Sequence, residues 1–153
     1  MDIVSAGLKA GFVIHPTKSI FNPTQFLTFL GFTINSVDMR VALTEAKVTK
    51  LKQSCSELLI KNPVTIRELS TVIGQMVASF PAVEHGRLYY RAIDNEKSAA
   101  LKQAKGNFDA MIHLSESSRQ DIKWWISHLP TTSRPISHGN PTITIQTDAS
   151  NSG

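Results

Sequence analysis

Two side chains in this chain could take part directly in phosphoryl chemistry, those of Lys18 and Asp148. A positioned lysine supplies positive charge and a proton to phosphoryl transfer, and an aspartate at a strand end can ligate a divalent metal. Each is weak evidence by itself, because solvated loop lysines and turn aspartates are common. Two-metal hydrolysis also needs several carboxylates, so Asp148 alone would leave such a site incomplete.

A basic and aromatic cluster lies in the middle of the chain. It consists of Arg87, Tyr89, Tyr90 and Arg91, followed by Lys97, Lys102 and Lys105. Cations that meet phosphates beside rings that stack on bases are typical of nucleic-acid binding. A solvated helix face explains the same residues equally well. Trp124 and Trp125 could also stack on bases, but a buried role is favoured for both.

An aromatic hairpin is predicted from Phe26 onward. Residues 26–34 are aromatic, apolar or threonine, apart from one glycine, which suits a pair of strands, and residues 39–43 suit a return strand. Gly31 inside this pattern predicts a bulge or the close approach of another backbone. A hairpin that admits a second backbone could clamp nucleic acid, and a plain structural hairpin is the alternative.

Taken in order, these features resemble a retroelement reverse transcriptase, and the likeness is greatest to DIRS-type retrotransposons. Lys18 resembles the lysine that closes the fourth palm motif. The fifth motif is the primer-grip hairpin, and the residues that resemble it are Phe29, Leu30, Gly31 and Phe32. Residues 147–150 are similar to the opening of a ribonuclease H domain. The likeness to DIRS-type elements is carried by residues 16–19, 23–26 and 29–36.

The resemblance implies a role for each residue in the parent enzyme, an RNA-directed DNA polymerase that uses magnesium and deoxynucleoside triphosphates. Lys18 would be the general acid for the leaving pyrophosphate. Residues 29–32 would hold the primer end through backbone contacts. The template–primer face would be lined by Arg87, Tyr90 and Arg91. Asp148 would be the first metal-binding carboxylate of ribonuclease H.

The resemblance also divides the chain into four parts. They are the end of a palm with the hairpin (1–43), a helical thumb and connection region (44–130), a linker (131–141) and the first strand of a truncated ribonuclease H domain (142–153). The predicted fold class is therefore α+β and mostly α, with a hairpin, a helical bundle and a single terminal strand.

The palm's catalytic carboxylates and the other ribonuclease H acids do not occur in this sequence. The chain is therefore expected to be a fragment that is inactive alone and binds no metal tightly. Its expected partners are RNA–DNA hybrid or DNA duplex and the remainder of the polyprotein. Two alternatives stay open. They are a non-catalytic nucleic-acid-binding module and a helical interaction domain, each derived from a retroelement.

Composition narrows the functional classes. The 153 residues are 41% hydrophobic, which predicts a globular chain with one core. The net charge of +4 favours an acidic partner such as nucleic acid. The sequence contains no apolar run near the roughly 20 residues of a membrane span and no signal-peptide pattern. Cys55 is the one cysteine, which excludes an internal disulfide and suits the cytoplasm or nucleus. The five histidines lack metal-ligand spacing.

Periodicity predicts two strong helices after the hairpin. Residues 44–60 place Leu51 and Leu58 on one apolar face. Residues 65–80 open with a capping box of Thr65 and Glu68. Their apolar stripe is made of Ile66, Leu69, Val72, Ile73, Met76, Val77 and Phe80. Gly74 within this helix is expected to allow close packing of a neighbouring helix.

Three further helical segments are predicted from weaker patterns. One covers residues 82–105 with a break near Asp94, and a short one covers residues 107–114. The last is capped by a serine at 115, 117 or 118 and continues to Leu129, with Ile122, Trp125 and Ile126 toward the core.

Overall fold

A computed structural model of the chain describes residues 3–61, 63–136 and 143. These residues form an α+β fold that is mostly helical, which confirms the predicted fold class. The elements are, in chain order, α1 (Ile3–Lys9), β1 (Phe26–Phe29), β2 (Phe32–Asn35), β3 (Arg40–Leu43), α2 (Glu45–Lys61), β4 (Val64–Thr65), α3 (Ile66–Ser79), α4 (Arg91–Gln103), β5 (Met111–Ile112), α5 (Glu116–His128) and β6 (Ser133–Pro135). The strand predicted at 142–147 lies outside the described residues, apart from Ile143, which is exposed.

The first sheet has four antiparallel strands in the order β1-β2-β3-β6. The predicted hairpin and return strand are confirmed, since Phe29 pairs with Phe32 and Phe32 pairs with Leu43. The paired positions Phe29, Phe32 and Leu43 lie on the same face of the sheet, and Phe32 and Leu43 pack against the core. Leu43, at the end of β3, is buried in the core and joins the sheet to the helices.

The fourth strand lies within the range predicted as a linker, 131–141, of which residues 137–141 are outside the described residues. Strand β6 pairs with β3. Arg40 fixes the pairing, because its Nε donates to the Oγ of Ser133 (2.7 Å) and its Nη2 donates to the Ser133 carbonyl (2.8 Å). Proline at the end of β6 suits an edge strand, where one N–H needs no partner.

The apolar faces of the helices enclose the core. Its members include Leu51, Cys55, Leu58, Leu69, Val72, Met76, Phe80, Ile93, Ile122, Trp125 and Leu129. The stripes predicted for α2 and α3 are confirmed, except that Val77 is 45% exposed. Burial raises the pKa of the Cys55 thiol to about 12, so this cysteine stays protonated and unreactive.

The helix caps follow the sequence closely. The Thr65 hydroxyl accepts from the Glu68 N–H at 3.1 Å, and the Glu68 carboxylate accepts from the Thr65 N–H at 3.0 Å. Ser115 caps α5 by accepting from the Ser118 N–H. The role predicted for Gly74 is wrong, because it is exposed and a side chain there would meet nothing within 4 Å.

The segment predicted as one broken helix over residues 82–105 begins as turns, and the helix α4 starts only at Arg91. Gly86 lies so close to the core that an added Cβ would be 2.8 Å from Cη2 of Trp125. The break predicted near Asp94 is wrong. Asp94 stands in the first turn of α4, where the helix dipole favours a carboxylate, and it pairs with Lys97 at 2.6 Å.

The helix predicted over residues 107–114 is also wrong. Met111 and Ile112 form β5, which pairs with β4. The N–H groups of Ile66 and Arg67, which have no partner inside α3, donate to the carbonyls of Ala110 and Phe108. The turn at residues 108–109 and strand β5 are therefore tied to the start of another helix.

Helices α4 and α5 cap one another. The Glu96 carboxylate accepts from the Ser115 N–H and from the hydroxyls of Ser115 and Ser118 at the start of α5. Asp121 accepts from the Ala92 N–H at the start of α4. Burial raises the pKa of Asp121, although this hydrogen bond opposes the shift.

None of the helices in the described residues combines the length and apolarity that crossing a membrane would require.

Candidate nucleic-acid interface

The tip of the hairpin is a two-residue loop. Phe29 and Phe32 are the last paired residues, so Leu30 and Gly31 form the turn. Both have positive φ, 50° for Leu30 and 78° for Gly31, as the commonest two-residue hairpin turn requires. The prediction that Gly31 lies in a bulge is therefore wrong. Glycine is needed here because the chain reverses direction with left-handed backbone.

The four predicted grip residues divide into two exposed and two inner ones. Phe29 is 56% exposed and Leu30 is 73% exposed, so both side chains are available to a ligand. Gly31 and Phe32 are half-buried and face the helical body. The hairpin therefore presents an apolar tip on a support that is packed against the core.

Lys47, in the first turn of α2, fixes this tip. Its Nζ donates to the carbonyl oxygen of Leu30 at 3.0 Å and lies 4.2 Å from the centroid of the Phe32 ring. The Thr44 N–H donates to the Gly31 carbonyl at 3.1 Å. The sequence analysis did not single out Lys47. The available signal was its position four residues after the return strand.

Lys18 lies beside the same hairpin. It is exposed, and with Thr28 and Phe29 it lines an open groove of about 290 Å³. The other lining residues are Ile20, Asn22, Pro23, Thr24 and Leu27. The structure therefore brings the predicted lysine and the predicted grip together, although they are eleven residues apart in sequence. The described residues that line the groove include no carboxylate.

Part of the predicted basic and aromatic cluster, namely Arg87, Tyr90 and Arg91, lies around Phe80, directly after α3. The Phe80 and Tyr90 rings meet edge to face at 5.0 Å. The guanidinium of Arg87 lies 5.7 Å from the Phe80 centroid, and that of Arg91 lies 5.8 Å from the Tyr90 centroid. Both arginines are exposed, whereas Tyr90 is half-buried. The cluster thus offers two cations held on rings.

A small cleft includes among its lining residues Lys47, which contacts the hairpin tip, and Ser79, which directly precedes Phe80 of the cluster. It lies between α2 and α3, has a volume of about 160 Å³, and is lined by Lys47, Lys50, Leu51, Gln75, Ala78 and Ser79. Lys47, which holds the hairpin tip, and the Arg87 cluster therefore both lie near the C-terminal end of α3, where the helix dipole favours cations.

The two tryptophans are structural. Trp125 is fully buried, and its Nε1 donates to the Tyr89 carbonyl at 2.8 Å. The Trp124 ring is stacked with Tyr89 at 4.0 Å and with His128 at 4.3 Å. Because parallel rings at these distances occupy both of its faces, Trp124 has no open face for a base.

No metal site is formed within residues 3–61, 63–136 and 143, where no group of three or more His, Cys, Asp or Glu side chains could hold an ion. Asp148, the predicted magnesium ligand, lies outside the described residues. The described residues do form an apolar hairpin tip and carry several exposed cations near it and near the end of α3.

Comparison with protein-family models, with curated protein sequences and with solved structures finds no match for this chain. The assignment of a function therefore rests on its residues and on their geometry.

Proposed function

We propose that this chain is a template–primer-gripping part of a retroelement RNA-directed DNA polymerase, formed by the end of the palm and the helical thumb and connection region. Its ligand is RNA–DNA hybrid or DNA duplex, and its other partner is the remainder of the polyprotein. Such a role would place it in the cytoplasm or nucleus.

The observation that carries this proposal is the residue at the hairpin tip. Leu30 occupies a left-handed turn position that favours asparagine, aspartate or glycine, and its large apolar side chain is 73% exposed. A left-handed backbone destabilises residues with a Cβ, and exposure gives leucine no compensating burial. A residue that serves neither the turn nor the core indicates a role in contact with a ligand.

The charges around the tip support a nucleic acid as that ligand. Lys18 lies in the groove beside Phe29, and Lys47 holds the Leu30 carbonyl. Arg87 and Arg91 extend the positive surface past the end of α3. A protein surface that binds a duplex needs cations to meet the phosphates and apolar groups to contact the sugars and bases. The hairpin tip and the cations around it offer both.

The catalytic roles belong to the parent enzyme. Lys18 would serve there as general acid, and Asp148 would ligate magnesium in ribonuclease H, as the resemblance implies. The gripping role proposed for this chain uses no metal, so it can be tested without one.

The test is binding of fluorescent RNA–DNA hybrid and DNA duplex, measured by anisotropy over a series of salt concentrations. The wild-type chain is expected to bind, with affinity that falls steeply as salt rises. The variant Phe29→Ala/Leu30→Asn is expected to bind at least several-fold more weakly at every salt concentration. The matched control Val37→Ala changes an exposed apolar residue in the next turn and is expected to bind like the wild type.

A second function, as a protein-interaction module, is favoured by one specific observation. The first described segment exposes many large apolar side chains, those of Ile3, Leu8, Phe12, Val13, Ile20 and Phe21. Exposed apolar patches mark protein contacts. Weak binding to both duplexes, independent of salt, would refute the gripping role and favour this second function.

A further inference from the structure

We propose that the cleft between α2 and α3 binds one phosphate of a nucleic-acid backbone, held by the ammonium of Lys50 and the side-chain amide of Gln75. This inference rests on the proposed function and names a phosphate subsite for it. The ligand class is a phosphodiester within a polynucleotide, rather than a small free anion.

The cleft, with a volume of about 160 Å³, has room for one phosphate group, and its charged lining residues are both lysines. Leu51 and Ser79 are buried at its base, and Ala78 forms an apolar part of its side. Lys47 and Lys50 stand three residues apart on α2, so both ammonium groups reach the same side of the helix. No carboxylate is among the described residues that line the cleft. The cleft is therefore positive and lacks an internal counter-charge.

Lys50 is the cation that is free to bind. Lys47 is already engaged by the Leu30 carbonyl and the Phe32 ring. Within the part of the chain that the structure describes, Lys50 has neither a hydrogen-bond nor an ion-pair partner, whereas Lys61 and Lys97 are paired with carboxylates. An unpaired ammonium at the mouth of a cleft can exchange its water for a phosphate oxygen without breaking a contact in the protein.

Gln75 supplies the second contact. Its Oε1 is buried without a hydrogen-bond partner, which is unfavourable for a polar group. The donor end of the amide, Nε2, is not enclosed in this way and has no hydrogen-bond partner in the described part of the chain, so it is the end that can donate at the cleft. A bound phosphate oxygen would accept from Nε2 without any rotation of the amide.

The neighbouring hairpin distinguishes a polynucleotide from a free anion. The residue that lines the cleft and touches the hairpin is Lys47, which holds the tip carrying the exposed Phe29 and Leu30 side chains. A ligand that reaches both needs a phosphate at the cleft and an apolar surface at the tip. A nucleic-acid strand has both, whereas inorganic phosphate has only the first.

The experiment compares Lys50→Gln with Lys52→Gln, a control that removes the same charge from the same helix about 200° around its axis. Lys52 lines a different groove, with Leu43 and Pro130. The ligand is whichever of the two, RNA–DNA hybrid or DNA duplex, the wild-type chain binds more tightly. The slope of log affinity against log salt is measured for it by anisotropy. Lys50→Gln is expected to weaken binding and to reduce the slope by about 1, and Lys52→Gln is expected to leave the slope unchanged.

A second pair of variants tests the amide. Gln75→Glu keeps the shape of the side chain and adds a negative charge facing the phosphate, and it is expected to weaken binding more than tenfold. The control Gln103→Glu adds the same charge at the exposed end of α4 and is expected to have a much smaller effect. Thermal unfolding of each variant verifies that the fold is kept.

The subsite would be overturned, with the gripping role left intact, by one result. In it the wild type binds the duplex, and the slope of log affinity against log salt is the same for the wild type, Lys50→Gln and Lys52→Gln. Absence of wild-type binding would refute the gripping role, and the subsite with it. Inorganic phosphate at low millimolar concentration is expected not to displace the duplex. Displacement that is abolished by Lys50→Gln would show a small-anion site and overturn the assignment to a polynucleotide.

Discussion

The ammonium of Lys47 donates to the carbonyl oxygen of Leu30 at 3.0 Å, and so joins the first turn of α2 to the tip of the β1–β2 hairpin. The same Nζ lies 4.2 Å from the centroid of Phe32. One side chain therefore sets the position of the exposed tip relative to the helical core. The tip can act as a rigid contact because a helix, rather than the loop itself, holds its backbone.

Lys47→Met is expected to loosen the hairpin tip. The change keeps the aliphatic length but removes the donor and the cation over Phe32, which together stabilise by about 1–2 kcal/mol. Hydrogen exchange of the Thr44 amide, which donates to the Gly31 carbonyl, is expected to become faster. Lys50→Met serves as the control and is expected to leave this amide unchanged. Equal protection of Thr44 in the two variants would show that Lys47 does not hold the tip.

Leu30→Asn is expected to raise the free energy of unfolding by up to about 1 kcal/mol, because asparagine tolerates the left-handed backbone better than leucine. Leu30→Ile is expected to lower it, since a β-branched residue fits positive φ poorly. Chemical denaturation measures both changes. A loss of stability in Leu30→Asn would mean that the leucine side chain supports the fold, and the argument for its contact role would fail.

Glu68 is expected to make stability depend on acid pH. Hydrogen bonds from the Thr65 N–H, the Lys61 ammonium and the Thr65 hydroxyl lower the pKa of Glu68 to about 2. Because the folded pKa lies below the unfolded value, this stabilisation is present above the unfolded pKa and is lost as pH falls through the folded one.

Glu68→Gln tests this sign, since glutamine keeps the capping geometry and removes the charge. The free energies of unfolding of wild type and variant, measured from pH 6 to pH 2, are expected to differ most above the ordinary glutamate pKa and to converge near pH 2. A constant difference over this range would show that Glu68 titrates in the folded protein as it does in the unfolded chain.

Leu69→Ala is expected to destabilise the fold by about 2–5 kcal/mol, because Leu69 is fully buried. Val77→Ala changes the same helix at a position that is 45% exposed, and a change below about 0.5 kcal/mol is expected. Thermal or denaturant unfolding separates the two. Similar losses in both variants would mean that the face of α3 turned toward the core is wider than the structure shows.

Local interactions let the sequence predict several elements directly. The Thr65 and Glu68 capping box needs partners only three residues apart, and the stripe of α3 repeats with the period of the helix. The hairpin strands are also local, since Phe29 pairs with Phe32 across a two-residue loop. Each of these patterns carries its own geometry, because the interacting groups are close neighbours along the chain.

Contacts between distant residues decided the rest. Residues 107–114 are predicted to be helical, yet they form a turn and the short strand β5, and the carbonyls of Phe108 and Ala110 accept from the first N–H groups of α3. β6 pairs with β3, and the side chain of Arg40 in β3 binds Ser133, which is 93 residues later in the chain. Composition of a segment gives no information about a partner so far away, so the sequence predicted neither β5 nor β6.

The candidate site divides in the same way. The sequence by itself determined an aromatic hairpin, a lysine at position 18 and a basic cluster near Arg87. Only the tertiary structure placed Lys18 in a groove with Phe29, assigned Lys47 to the Leu30 carbonyl, and put the unpaired Lys50 in the same cleft as Gln75. Residue types set which chemistry is available, whereas the packing of α2 against α3 and the hairpin sets which groups converge and which side chains keep a free hydrogen-bonding group.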